Sequence, residues 1–363
     1  MIEKSHFLSK KIEELEQKLE LLKSVESEEE YFKKMSKKQI AYRKTQLKEN
    51  KKKSMDTIAL WGLYGKRDMD QYKSYIPPIY AATAGAPLKS LEYGKLLLAY
   101  EIFDDPNKMY SRIDNITVDH LAHKVASMEG KGIPELTHGL CTSSGMSAIF
   151  MATMPFLEVG DTFVAPKLMF GGTFHLFETT YPKMGWKARW VEEPEEPENW
   201  RELIDENTKF LYAEFPTNPT LFCPDLSTLS DLAHEFDIPL IVDSTLATPI
   251  LTRPLEHGAD VVVHSATKMM CGSGRAVGGV LVSKEVITTE KKAFKKHFAR
   301  KVKEGPFRNL GPCMSPYEAK EIWDALNTLK FRVQAASQKA MKVANFLQNH
   351  PTIERVNYPG LPS

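Results

Sequence analysis

From Gly160 onward, short apolar runs alternate with longer amphipathic stretches. Phe163-Val-Ala, Ala188-Arg-Trp-Val, Lys209-Phe-Leu-Tyr-Ala, Pro239-Leu-Ile-Val and Val261-Val-Val read as successive strands, rich in β-branched and aromatic residues. Gly278-Gly-Val-Leu-Val282 adds another, whose glycines permit close approach of a neighbouring backbone. Strands separated by helical patterns predict an α/β fold: a mostly parallel sheet flanked by helices. Ser147 to Met154 reads as a helix of small and apolar residues, and Ala336 to Leu347 as an amphipathic one.

The first fifty-odd residues differ in kind. Ile12, Leu15, Leu19 and Leu22 recur at helical spacing amid Glu and Lys, which predicts a short amphipathic helix but is too brief for a coiled coil. Tyr31 to Lys53 then carries ten Lys or Arg against one Glu. Such a run could meet nucleic acid or an anionic membrane. A solvated helix face is the simpler reading, so neither partner is expected.

Composition narrows the class. At 363 residues and 42% hydrophobic content, the chain can bury a large core and hold more than one domain. A formal charge of +1 implies no acidic partner. Cys141, Cys223, Cys271 and Cys313 are scattered without CxxC spacing, which argues against disulfides and zinc. With no membrane-length apolar stretch and no apolar leader, a reducing cytoplasm is the expected location. GxxxxGK[ST], HExxH and GxSxG are lacking, and Gly272-Ser-Gly-Arg-Ala-Val-Gly278 precedes a strand rather than a helix, so it is no dinucleotide loop.

Candidate chemistry sits at two strand ends. Val261-Val-Val-His-Ser-Ala-Thr-Lys268 closes a buried strand with two hydroxyls, Ser265 and Thr267, and a lysine. Hydroxyls that hold a phosphate, beside an amine that forms a Schiff base, suit a phosphorylated aldehyde such as pyridoxal 5'-phosphate (PLP). Asp243 ends the strand Ile238-Pro-Leu-Ile-Val, 25 residues earlier. Ligands in open α/β sheets sit outside the carboxyl ends of strands, so Asp243 and Lys268 are expected to face one crevice. A buried Asp needs a cation, and a protonated pyridine nitrogen would be one. Gly145 opens the Ser147 helix, where free N–H groups suit a phosphate. For any one of these residues, a cap, a core helix or a solvated lysine is the ordinary alternative.

Several blocks together resemble the PLP-dependent enzymes of cysteine and methionine metabolism, which include cystathionine γ-synthase and γ-lyase, methionine γ-lyase and O-acetylhomoserine sulfhydrylase. The blocks are Val242-Asp-Ser-Thr-Leu-Ala-Thr-Pro249, Arg253-Pro-Leu-Glu-His-Gly-Ala-Asp260, His264-Ser-Ala-Thr-Lys268, Tyr110-Ser-Arg112, Ser144-Gly-Met-Ser-Ala-Ile149, Phe170-Gly-Gly-Thr173 and Glu214-Phe-Pro-Thr-Asn-Pro-Thr220. The resemblance runs from about Ser74 to the last residue. It implies the aspartate-aminotransferase-like fold type I, with a helical N-terminal arm. Lys268 would carry PLP and Asp243 would face its ring nitrogen. Ser265, Thr267, Gly145 and Met146 would hold the phosphate, and Asn218 the phenolic oxygen. Tyr110 and Arg112 would reach the phosphate of a neighbouring subunit, which implies a homodimer or tetramer with shared active sites. The divisions expected are a charged helical extension (1–54), an arm on the neighbouring subunit (55–113), the PLP-binding domain (114–314), and linking helices that begin a C-terminal domain (315–363).

Departures from the family pattern cluster at the pocket. Phe170 stands where a tyrosine stacks on the cofactor; it can stack but cannot exchange a proton. Ser244 replaces an asparagine, Phe215 a smaller residue, and Met269-Met-Cys-Gly-Ser-Gly-Arg275 an aromatic, histidine-containing loop. In relatives, a C-terminal domain with a carboxylate-binding arginine follows Val356-Asn-Tyr-Pro-Gly-Leu-Pro-Ser363. This leaves a truncated product, a domain supplied by another chain, or a substrate held differently, and of these a truncated or split enzyme is expected. Without the tyrosine hydroxyl, poor leaving groups suffer most, so γ-replacement on an O-acylhomoserine ranks first. A methionine or cystathionine γ-lyase ranks second, beside a PLP-binding subunit with little activity alone. An interaction protein built on the basic arm has only composition behind it.

Overall fold

The computed structural model describes residues 52–61, 77–81, 90–98, 110–287 and 298–361, with scattered positions between 12 and 49. The chain divides into two compact units, one of Met1–Gln46 with Ala82–Ser111 and one of Leu47–Ala81 with Arg112–Ser363. In the first unit, Leu91–Leu98 is a helix that buries Tyr93 and Leu96. Ile12 and Leu15 are helical and exposed, while Leu19 and Leu22 lie outside the described residues.

The second unit is built on a seven-stranded sheet. Its strands are β1 (Thr137–Thr142), β2 (Thr162–Pro166), β3 (Lys187–Val191), β4 (Thr208–Glu214), β5 (Leu240–Asp243), β6 (Val261–Ser265) and β7 (Gly279–Lys284). The spatial order is β1-β7-β6-β5-β4-β2-β3. Strands β2 to β6 run parallel, and β7 pairs antiparallel with both β6 and β1. After β2 the chain steps outward to β3, then returns to place β4 on the other side of β2. The order therefore reverses between β2 and β4, and open α/β sheets bind ligands at such a reversal.

The six expected strands all form, because valine and aromatic runs suit a sheet covered on both faces. Alternation divides them between cores. Val261, Val263, Ile241, Phe210 and Tyr212 face an aromatic core with Phe163 and Phe177, whereas Val242, Leu211 and Ala213 face the opposite side. Phe163 stacks on Phe210 at 4.7 Å and meets the edge of Phe177 at 4.7 Å. Each fully buried ring contributes about 1.5–3 kcal/mol, which makes this face a rigid floor. Strand β1 escaped the sequence pattern, since Thr-His-Gly-Leu-Cys-Thr lacks a clear period of two. Its place is secured by antiparallel pairing with β7.

Of the helices, α1 (Met55–Trp61), α2 (Ile116–Glu129), α3 (Gly145–Thr153), α4 (Gly171–His175), α5 (Pro316–Ala325) and α6 (Leu329–Gln348) bear on the site. Asn115 caps α2 by accepting the Thr117 and Val118 N–H groups, and its own amide donates to the Tyr80 carbonyl. The buried pair His264–Glu129, 2.7 Å apart, ties β6 to the end of α2. One expectation is corrected: the helix break falls at Leu326–Thr328, and the residues after it form a single helix from Leu329 to Gln348 rather than one beginning near Ala336. Leu326 and Leu329 are buried, so the turn at the break packs inward. No described helix is long and apolar enough to cross a membrane.

Candidate active site

Strands β2, β4, β5 and β6 lie side by side, and six expected residues, Phe170, Asn218, Asp243, Ser265, Thr267 and Lys268, lie at or just beyond their carboxyl ends. Glu214 ends β4 in register with Asp243, which ends β5, and Asp243 is in register with Val263 of β6. Lys268 lies in the turn after β6, fixed by its backbone N–H to the Ser265 carbonyl at 3.2 Å. The lysine is exposed, and its amine has no hydrogen bond or ion pair among the described residues. Asp243 and Lys268 therefore leave adjacent strands at the same edge of the sheet.

Asp243 is buried, and burial pushes its carboxyl above the usual range. Its Oδ1 accepts the Thr245 backbone N–H at 2.9 Å and the Thr245 hydroxyl at 2.6 Å. The same Thr245 oxygen accepts the Ser265 N–H at 2.8 Å, so one side chain links the ends of β5 and β6. Thr245 has no place among the residues singled out from the sequence, although it lies in the block around Asp243.

Glu214 likewise belongs to a family-like block, with no role expected of it from sequence. It is buried, and burial followed by the neighbouring Asp243 charge pushes its carboxyl up to about 8. Oε2 accepts the Phe170 N–H at 2.7 Å, and Oε1 accepts the Asn218 N–H at 2.9 Å. Phe170 caps α4 and is 40% exposed, with its ring lying over Gly172. Asn218 is exposed in the loop after β4. Nearby on β4, the Tyr212 hydroxyl is buried, and burial followed by the Asp243 and Glu214 carboxylates holds its pKa well above the ordinary value.

On the other flank, Ser144 caps α3 by accepting the Ser147 N–H at 3.1 Å. The N–H groups of Gly145 and Met146 belong to the first turn and have no intrahelical acceptor. A Cβ on Gly145 would stand 2.6 Å from the Ser265 Cβ, so the helix N-terminus packs directly on the end of β6. Gly279 does the same on β7, where a Cβ would fall 2.0 Å from the Ser144 carbonyl oxygen. Ser265 is half-buried beside that first turn. The Thr267 hydroxyl is committed to the chain, accepting the Gly278 N–H at 3.0 Å and donating to its carbonyl at 3.2 Å.

Tyr110 belongs to the first unit and is exposed. Arg112 donates from Nη1 to the Arg308 carbonyl at 2.6 Å, and Ser143 N–H bonds Pro312 of the same segment.

The donors fit PLP. Two buried carboxylates, both shifted toward the protonated form and neither in a salt bridge among the described residues, call for a cation such as a pyridinium. The first turn of α3 with Ser265 fits a phosphate, and the Lys268 amine fits an aldehyde. Comparison with known proteins agrees: residues 57–363 match the model of the Cys/Met metabolism PLP-dependent enzymes. The chain belongs to that family. It is 34% identical to an O-acetyl-L-homoserine sulfhydrylase of Leptospira meyeri, over 84% of this chain and 73% of that protein. It is 32% identical to a homocysteine synthase of Schizosaccharomyces pombe, over 79% of this chain and 70% of that one. A crystal structure described as an O-acetylhomoserine (thiol)-lyase of Campylobacter jejuni superposes with a TM-score of 0.77 at 31% identity, covering 86% of this chain and 79% of that chain. That structure carries N'-pyridoxyl-lysine-5'-monophosphate. The fold is thus the mostly parallel, helix-flanked sheet of fold type I, and the enzyme is a PLP-dependent member of sulfur amino-acid metabolism.

Proposed function

We propose that this chain catalyses γ-replacement on an O-acylhomoserine, exchanging the γ-acyloxy group for the sulfur of a thiol. The observation that carries the reading is the buried Asp243 carboxylate, on the strand adjacent to the one that delivers Lys268, at the carboxyl edge of the parallel strands. Sulfhydrylases among its relatives point the same way. PLP, when bound, supplies an electron sink joined to the substrate nitrogen.

The chain's own residues divide the remaining work. Asp243 keeps the positive charge on the ring nitrogen, and Thr245 aims its carboxylate. Gly145, Met146, Ser265 and Thr267 are proposed to hold the phosphate, with Thr267 releasing Gly278 to do so. Asn218 orients the phenolic oxygen. Lys268 Nζ would take the Cα proton, give it up, and then take a Cβ proton; the γ-acyloxy group leaves as a carboxylate, the thiol sulfur bonds to Cγ in its place, and the protons return to Cβ and Cα. Phe170 offers only an apolar face to the departing group, so a leaving group that needs no proton is favoured. Tyr110 and Arg112 remain proposed contacts to a neighbouring subunit's phosphate, in a homodimer or tetramer. The amino-acid substrate and biosynthetic role fit the cytoplasm.

The test is to load the purified chain with PLP and supply O-acetyl- or O-succinylhomoserine with sulfide. Thiol-containing amino acid should form, and Lys268→Ala should lose both turnover and the borohydride-reducible visible band. Release of a 2-oxo acid and ammonia without thiol incorporation would move the enzyme to the γ-lyases. Turnover surviving Lys268→Ala would sink the reading.

A further inference from the structure

We infer that Glu214 is a positioning residue of the cofactor site, whose carboxylate ties the Phe170 backbone to the Asn218 backbone. The inference rests on the PLP site proposed above. Its basis is geometric. Phe170 follows β2 and Glu214 ends β4, so their contact spans the point at which the strand order reverses. Phe170 and Asn218 lie 48 residues apart in sequence, yet each gives its N–H to a different oxygen of one carboxylate, at 2.7 and 2.9 Å. The side chain itself is 6% exposed and stands in register with Asp243.

A purely structural residue would be a poor choice here. Burying a second carboxylate beside Asp243 is costly, and both burial and that neighbour drive Glu214 toward its protonated form. An acceptor with two equivalent oxygens is nonetheless what two converging N–H donors need. Glutamine offers one oxygen, and its NH2 would confront the other N–H. Aspartate keeps both oxygens but falls one methylene short, so it reaches one amide. Glu214 therefore fixes the spacing between the ring of Phe170 and the side chain of Asn218, two groups that Asp243 alone does not touch.

The experiment compares the wild-type chain with Glu214→Gln and Glu214→Asp, using PLP as the probe. Three quantities are read: thermal stability of the cofactor-free chain, PLP affinity, and the induced circular dichroism of the bound cofactor's visible band. Losing one of the two hydrogen bonds should weaken PLP binding about tenfold in E214Q. The induced dichroism should change in sign or strength, because the groups around the ring have moved. E214D should recover part of the affinity. Wild-type affinity and dichroism in E214Q overturn the inference. So does a loss of affinity in both variants that tracks their loss of thermal stability with the dichroism unchanged. If E214Q does not fold, E214D decides: unaltered dichroism and affinity in that chain overturn the inference, and altered dichroism supports it. A wild-type chain that binds PLP but performs no γ-replacement would remove the proposed reaction and leave this inference standing. One that binds no PLP would remove both.

Discussion

Thr245 donates its hydroxyl to the Asp243 carboxylate at 2.6 Å and, at the same oxygen, receives the Ser265 N–H at 2.8 Å. One hydroxyl thereby joins the residue proposed to face the ring nitrogen to the strand end proposed to face the phosphate. Thr245→Val keeps the shape and removes both bonds. It should cost about 1–3 kcal/mol of stability, because a carboxylate loses a donor and a backbone N–H is left unpaired. Urea unfolding of the cofactor-free chain measures this, and Thr245→Ser should restore it. A valine variant as stable as wild type would show that the bridge contributes nothing.

Gly145 supplies a second check on the same junction. Any side chain there meets the Ser265 Cβ at 2.6 Å and its Cα at 3.0 Å, so α3 and β6 must separate. Overpacking of this kind costs about 1–3 kcal/mol. Gly145→Ala should lower stability by that amount, read in the same unfolding experiment. It should also weaken PLP binding, since the first-turn N–H groups move relative to Ser265. Unchanged affinity for PLP would place the phosphate elsewhere.

Much of this arrangement was legible in the sequence, and the illegible parts share one cause. Strands β2 to β7 announced themselves through valine and aromatic runs, and Asp243 and Lys268 through their places at the ends of two of them. Glu214 and Thr245 stand out in the sequence only as members of the family-like blocks around Asn218 and Asp243. Their partners are largely backbone N–H groups, that of Phe170 lying 44 residues from Glu214, and a backbone donor leaves no mark on residue identity. Strand β1 was missed because its stability comes from its pairing with β7, not from its own pattern. The commitment of Thr267 to Gly278, and of Arg112 to Arg308, was hidden for the same reason.

Lys124 carries the pH prediction. Its ammonium is buried between α2 and α5, donating to the Trp323 carbonyl at 2.9 Å and Asn327 Oδ1 at 2.8 Å, 3.7 Å above the Trp323 ring. Burial lowers its pKa from 10.5 to about 7. The folded chain therefore holds fewer protons than the unfolded chain between those two values. In this window stability contributed by Lys124 rises with pH, and it is lost as the pH falls through 7. Relative to Lys124→Met, the wild-type chain should gain stability from pH 7 toward 10, with a slope of at most about 1.4 kcal/mol per pH unit. Urea midpoints of the two chains across that range give the difference curve. A flat curve would mean that Lys124 keeps its ordinary pKa in the fold.

Phe170 sets the last prediction, on leaving-group preference. Its backbone is fixed by Glu214, and its ring is 40% exposed at the carboxyl end of β2. Phe170→Tyr adds a hydroxyl at the same ring without moving the backbone. A positioned proton donor is worth about 10²–10⁴ in rate to a group that leaves as a strong base. A carboxylate needs no such help, whereas a thiolate gains from it. The tyrosine variant should therefore raise turnover of cystathionine or methionine relative to an O-acylhomoserine by about tenfold or more. The measurement is the ratio of kcat/KM for the two substrate classes in each chain. An unchanged ratio would show that Phe170 does not face the departing group, and the preference for an activated ester would need another cause.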